Sequence, residues 1–196
     1  MSAPRAQRGF TLAEILVSMT LMMVAFSAAA PLVIQNAQIN KAQQMAMASL
    51  SDARGSLNLI VNTLRTTGWD PRNLGFAPLA LDPDPNTDNF ITVYADLTED
   101  NDILDDGEAV TIRHTSNRLE WRRFSDPNQP FVVLAENVTN DEDGNGTAEP
   151  MFTPDSATNP QRITVKITTR SAQRDPRTMQ YLRFTVRSDV YLRGGL

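Results

Sequence analysis

Cysteine is absent from this chain and histidine occurs once, at His114. Without thiols there is no disulfide framework and no thiolate metal centre, and a lone imidazole cannot build a zinc cluster. The sequence also lacks a nucleophile-elbow motif and a glycine-rich phosphate loop. His114 falls in an expected strand beside Arg113, where a structural role outweighs a catalytic one. Acids are plentiful, but no spacing among them selects a general acid–base pair. The expectation is therefore a protein that is not an enzyme. With 41% apolar and 21% charged residues the chain is not globally disordered. It shows no internal repeat or low-complexity tract, and the missing cysteines leave the compartment open.

Basic residues are missing from one long stretch. Between Asp82 and Glu108 there are ten acids and no lysine or arginine, whereas residues 162–193 carry eight bases against Asp175 and Asp189. The net charge of −5 hides this asymmetry. It implies cation binding in the acidic stretch, contacts with neighbours of opposite charge, or two solvated faces of opposite sign.

What the chain does have is an apolar run at its start, "RGFTLAEILVSMTLMMVAFSAAAP" at residues 8–31, interrupted by one carboxylate, Glu14. A cleaved secretory signal would place a basic region (Arg5, Arg8) before an uncharged core and a small-residue cut near residues 27–30. Glu14 spoils that core, and Pro31 would follow the cut directly, where its ring and missing N–H are unfavourable. If the run is retained, residues 10–34 are long enough to cross a hydrocarbon core as a helix. Arg5 and Arg8 then keep the amino end cytoplasmic, and the rest lies across the membrane. A single-span anchor alone leaves Glu14 unexplained, because a charge in hydrocarbon is strongly unfavourable.

"RGFTLAEILVSM" resembles the prepilin signature of type IV pilins and type II secretion pseudopilins at Gly9, Phe10, Thr11, Leu12 and Glu14. The resemblance implies that a prepilin peptidase cuts between Gly9 and Phe10, and that the new Phe10 amine is methylated. It also implies a partner for Glu14. Cleavage creates a positive amine at Phe10, and in a filament of staggered helices Glu14 of one subunit meets the amine of a neighbour. Attraction between opposite charges strengthens as the dielectric falls, so the buried carboxylate favours assembly over isolation in lipid.

Further on, Met47, Leu50, Leu57, Val61 and Leu64 recur at helical spacing, so an amphipathic helix is expected to continue to residue 67, with Gly68 as its C-cap and a kink or loosened bonding at Pro31. Residues 67–89 are dense in Pro, Gly, Asn and Asp and read as an irregular connection. Gly68-Trp69-Asp70-Pro71 resembles the turn that follows the helix in PilW-like minor pilins. Short β-branched and aromatic segments follow at 90–95, 108–114, 118–124, 131–135, 162–170 and 179–192, the last two alternating cleanly. The expected fold class is α+β and type IV pilin-like: a long N-terminal helix, transmembrane in its first half and amphipathic in its second, packed on an antiparallel sheet head. The expected divisions are leader 1–9, membrane and filament-core helix 10–34, amphipathic helix 35–67, irregular loop 68–89 and head 90–196.

Two acidic stretches are candidate Ca²⁺ loops. In "DLTEDNDILDDGE", Asp96, Thr98, Asp100 and Asp102 alternate, and Asp105, Asp106 and Glu108 follow; calcium takes six to eight oxygens in flexible geometry. The EF-hand pattern is incomplete, with Asn101 in place of the turn glycine and Leu104 and Gly107 at later ligand positions. A metal-free acidic loop is the other reading. In residues 141–149, Asp141, Asp143, Asn145 and Glu149 take the first, third, fifth and ninth positions, but Phe152 stands where the bidentate glutamate belongs. That stretch equally suits a hydrophilic hairpin tip. Arg122, Arg123, Arg183, Arg187 and Arg193, with Trp121 and Phe124 nearby, have the ingredients of a nucleic-acid surface. Solvated or ion-paired arginines outweigh DNA contact.

The resemblance therefore implies a minor pilin of a type IV pilus tip or assembly-initiation complex, working with other pilin subunits, a prepilin peptidase and the inner-membrane assembly platform. It would sit in the bacterial inner membrane with its head in the periplasm before joining the filament at the cell surface. A minor pseudopilin of a type II secretion system, resembling the GspJ kind, has the same physics. A membrane-anchored calcium- or ligand-binding head without a filament role is the alternative from another class.

Overall fold

The computed structural model describes residues 10–82, 89–100, 102–103, 105–123, 129–156 and 160–192. Contacts divide the chain into two units, residues 1–43 and 44–196. Gly9, Arg5 and Arg8 fall outside the described residues, as do Asn101, Leu104, Phe124 and Arg193.

One helix, α1 (Leu12–Arg65), contributes to both units. In the first unit its side chains are almost all exposed, and it contains an 18-residue window of mean hydropathy 2.0 with none of that window buried. The helix is long and apolar enough to cross a membrane. Its few hydroxyls are satisfied by the helix itself: Ser18 donates to the Glu14 carbonyl at 2.7 Å, Thr20 to Val17 at 2.8 Å and Ser27 to Val24 at 2.8 Å. Such internal bonding is what a hydroxyl needs where water is absent. Pro31 lacks a donor N–H, yet it lies inside one continuous helix.

The second unit is a helix stretch packed on two antiparallel sheets. Ala53, Ser56, Ile60 and Leu64 are buried at steps of three and four, with Leu57 and Val61 beside them. This stripe differs from the expected one at its start, since Met47 is 69% exposed. The helix ends at Arg65, and Gly68 follows with φ +70°. Its N–H donates to the Tyr94 carbonyl at 3.0 Å, and a Cβ there would stand 3.1 Å from Pro78 Cβ. Glycine is required by both the dihedral and the approach.

The first sheet has the order β1 (Leu79–Asp82), β2 (Phe90–Tyr94), β3 (Ala109–Thr115), β4 (Arg118–Arg122) and β5 (Val132–Glu136), every pair antiparallel. The β3–β4 turn is Ser116-Asn117, both at positive φ (47° and 66°), as a tight hairpin of matching twist demands. The second sheet joins β6 (Phe152–Pro154), β7 (Arg162–Arg174) and β8 (Tyr181–Tyr191). Just past β5, Val138 makes an antiparallel bridge to Thr169 of β7. Ile60, Leu64, Ile91, Ile112, Leu119, Val138, Met151, Phe152, Ile163 and Ile167 form one core.

The fold is thus α+β, a long N-terminal helix packed on antiparallel sheets, consistent with a type IV pilin-like fold. Two features correct the sequence reading. The head contains two sheets rather than one, and strands β1 and β6 were not expected, β1 lying within residues read as an irregular loop. Both are short edge strands touching proline, Pro78 before β1 and Pro154 within β6. Proline cannot donate to a ladder and is tolerated at an edge, so the residue type that argued against strands marks where the sheets stop.

Candidate functional site

At the amino end, Thr11 caps α1 and Glu14 occupies the third helical position. Glu14 Oε2 accepts from the Thr11 N–H at 2.9 Å and from the Thr11 hydroxyl at 3.0 Å, while the Thr11 hydroxyl accepts from the Glu14 N–H at 3.3 Å. This is a reciprocal capping box, satisfying two of the donors a helix start leaves free. Both carboxylate bonds fall on Oε2, so the group keeps acceptor capacity for another donor. Phe10 is 86% exposed one turn away. Phe10, Glu14 and Ser18 line shallow hollows on both sides of this helix face, with Ala13 and Val17 on one side and Ile15, Met19 and Met22 on the other.

In the head, the β2–β3 connection places its acids unequally. Glu108 is 1% exposed in the turn just before β3 and collects four bonds: Leu97 N–H (2.7 Å), Thr98 N–H (2.8 Å) and the Thr98 hydroxyl (3.0 Å) on Oε1, and Asp105 N–H (3.2 Å) on Oε2. Burial works against its charge, but the Thr98 N–H and hydroxyl, with the Leu97 and Asp105 N–H groups, outweigh it and hold the carboxyl below the usual glutamate range. Asp96, fully buried, follows β2 and accepts the Glu99 N–H at 2.6 Å. Asp100, Asp102 and Asp105 are exposed. The charge of Asp100, then burial, pushes Asp105 above the usual aspartate range.

Of the residues expected here, Asp96 and Asp100 come together with Glu108, and Asp100, Asp102 and Asp105 form a second group, the carboxylate oxygens in each lying within 4.8 Å of one another. Asp106 is in neither group. The Thr98 hydroxyl is turned to Glu108 and Asp105 as a donor. Glu108 was read only as the last of the acids that follow the alternating series. Its signal was its place just after the turn glycine, Gly107 (φ +97°), where β3 returns the chain to Asp96.

The second loop is arranged differently. Asp141 accepts from the Gly144 N–H (2.7 Å) and Gly146 N–H (3.1 Å) and faces Arg183 at 3.8 Å, while Lys166 pairs with Glu149 and, at 3.2 Å, with Glu142. Asp143 bonds Asn145. Asp141, Glu149, Asp143 and Asn145 thus have partners from the protein itself, Lys166 and Arg183 among them.

Several other polar side chains of the head make contacts within the protein. His114 Nε2 donates to the Val138 carbonyl at 2.9 Å. Arg113 pairs with Glu120 at 2.9 Å, Arg113 and Arg122 flank the Phe131 ring at 3.7 and 4.7 Å, Arg123 lies over Trp121 at 5.3 Å, and Arg187 faces Asp189 at 3.7 Å. Of the arginines named above, Arg183 and Arg187 thus face carboxylates, while Arg122 and Arg123 lie over aromatic rings.

Residues 4–30 match the family model of the prokaryotic N-terminal methylation motif. No curated protein and no solved structure matches the chain. The motif supports a type IV pilin or pseudopilin, a structural rather than enzymatic subunit. It implies processing by a prepilin peptidase and assembly with other pilin subunits, and with the apolar helix it fits anchoring in the inner membrane before filament entry.

Proposed function

We propose that this protein is a minor pilin, a subunit of a type IV pilus tip or assembly-initiation complex that docks through Glu14 and the Phe10 amine. The observation that carries the reading is an exposed carboxylate inside an apolar helix face, one turn from the end that the methylation motif marks for processing. Cleavage after Gly9 leaves Phe10 with a positive amine. Glu14 of an incoming subunit draws that amine from lipid into a paired, low-dielectric contact, and the hollows beside Glu14 receive apolar side chains of the neighbouring helix. The basic leader holds the amino end in the cytoplasm, so the head lies in the periplasm and meets the inner-membrane assembly platform from that side. The same docking serves a minor pseudopilin, and co-purification with pilus or secretion components separates the two.

The test is filament assembly with Glu14→Ala in the full chain. Normal membrane levels with loss from sheared filaments is expected; normal incorporation contradicts the proposal.

A further inference from the structure

The two acidic loops of the head solve the same electrostatic problem in different ways. In residues 141–149 the carboxylates are met by Lys166 and Arg183 from β7 and β8. In residues 96–108 no lysine or arginine pairs with Asp96 or Glu108 among the described residues, although both are buried. Hydrogen bonds account for Glu108. They do not account for Asp96: its Oδ1 accepts the Glu99 N–H, but its buried Oδ2 has no hydrogen-bond partner among the described residues. An unpaired buried carboxylate oxygen is costly, and here it belongs to a side chain whose carboxylate oxygen lies within 4.8 Å of those of Asp100 and Glu108.

We infer that Asp96, Asp100 and Glu108 form a divalent cation site in the head, of the calcium class. The donors are all oxygen, which favours calcium or magnesium over zinc. Two ligands of one ion lie at most twice the metal–oxygen distance apart, about 4.6–5.2 Å for calcium and about 4.2 Å for magnesium. Carboxylate oxygens within 4.8 Å of one another can share one such ion, and the flexible geometry calcium accepts suits a loop. Asp100 belongs to the outer group as well, so Asp102 and Asp105 lie close enough to complete the shell or to draw the ion in. Glu108 needs no rearrangement, since its bonds to Leu97, Thr98 and Asp105 already fix it.

Binding acts on more than the loop. The Asp96 N–H donates to the Trp69 carbonyl at 2.8 Å, and the Gly68 N–H to the Tyr94 carbonyl, so the end of β2 holds the turn that follows α1. A cation on Asp96 locks that turn, and Trp69, 46% exposed, reports it.

The experiment is calcium titration of the full chain in detergent micelles, read by calorimetry and tryptophan fluorescence, with magnesium as comparison. The expected result is one saturable calcium equivalent, a fluorescence change and a raised melting temperature, with weaker magnesium binding. Asp100→Asn, at an exposed position that leaves folding intact, weakens calcium by about tenfold or more. Asp96→Asn removes binding, and Asp141→Asn leaves it unchanged. Absence of saturable binding in the folded wild type overturns the site, as does binding that survives Asp100→Asn and falls with Asp141→Asn. Magnesium binding as tightly as calcium overturns the ion assignment.

Discussion

Thr11 and Glu14 close a reciprocal capping box at the start of α1, each side chain accepting from the other's backbone N–H. Glu14 therefore has a local partner before any neighbouring subunit arrives. The helix start and the proposed docking contact call on the same carboxylate, and the two roles separate by substitution.

Glu14→Gln keeps an amide oxygen for the Thr11 N–H but removes the charge. Helix content in micelles, measured by circular dichroism, should hold while filament incorporation fails. Thr11→Ala does the reverse: it removes the cap, at a cost of about 1 kcal/mol to the helix start, and leaves the charge. Incorporation should then persist. Equal assembly defects in the two variants would assign Glu14 to capping alone.

Gly68→Ala places a Cβ at φ +70° and 3.1 Å from Pro78 Cβ. We expect a loss of about 1–2 kcal/mol from the left-handed backbone, with the contact adding to it. Urea unfolding followed by tryptophan fluorescence measures this. An unchanged midpoint would mean that the turn after α1 relaxes freely.

Phe152→Ala removes a fully buried ring from β6, the shortest strand, where the second sheet meets the core. The expected cost is about 3–5 kcal/mol. The same unfolding experiment reads it, and a loss below about 1 kcal/mol would show that this edge contributes little to the head.

Asp141 carries a pH dependence. Burial opposes its charge, but the Gly146 and Gly144 N–H groups, then Asp143 and Arg183, outweigh it, so its folded carboxyl titrates below the usual aspartate range. A depressed folded pKa contributes stability above the unfolded value, about 3.9, and that contribution is lost as pH falls through the folded value. Asp141→Asn should therefore destabilise the head at neutral pH, and the gap from wild type should close below the unfolded value. A gap of constant size across that range would contradict the assignment.

How much of this was readable beforehand depends on the range of the interactions involved. The apolar run and the alternation of Ile163, Val165 and Ile167 are local patterns, and each appears where the spacing placed it. The start of the buried helix stripe was misplaced at Met47 because packing, not periodicity, decides which turn first meets the sheets. In the acidic loops, too, the partners are set over a longer range than local spacing. The alternating oxygens after Asp96 suggested a ligand series along the chain; Asp100, Asp102 and Asp105 come together in that way, while Asp96 and Asp100 also meet Glu108 from the far end of the connection. In residues 141–149 the deciding groups, Lys166 and Arg183, come from strands that no local spacing could assign to that loop.

The most direct test of the filament account is intact mass and N-terminal fragmentation of the protein recovered from its native membrane. The account predicts a chain beginning at Phe10 with a methylated amine. A retained leader, or a chain beginning near Pro31, would contradict it.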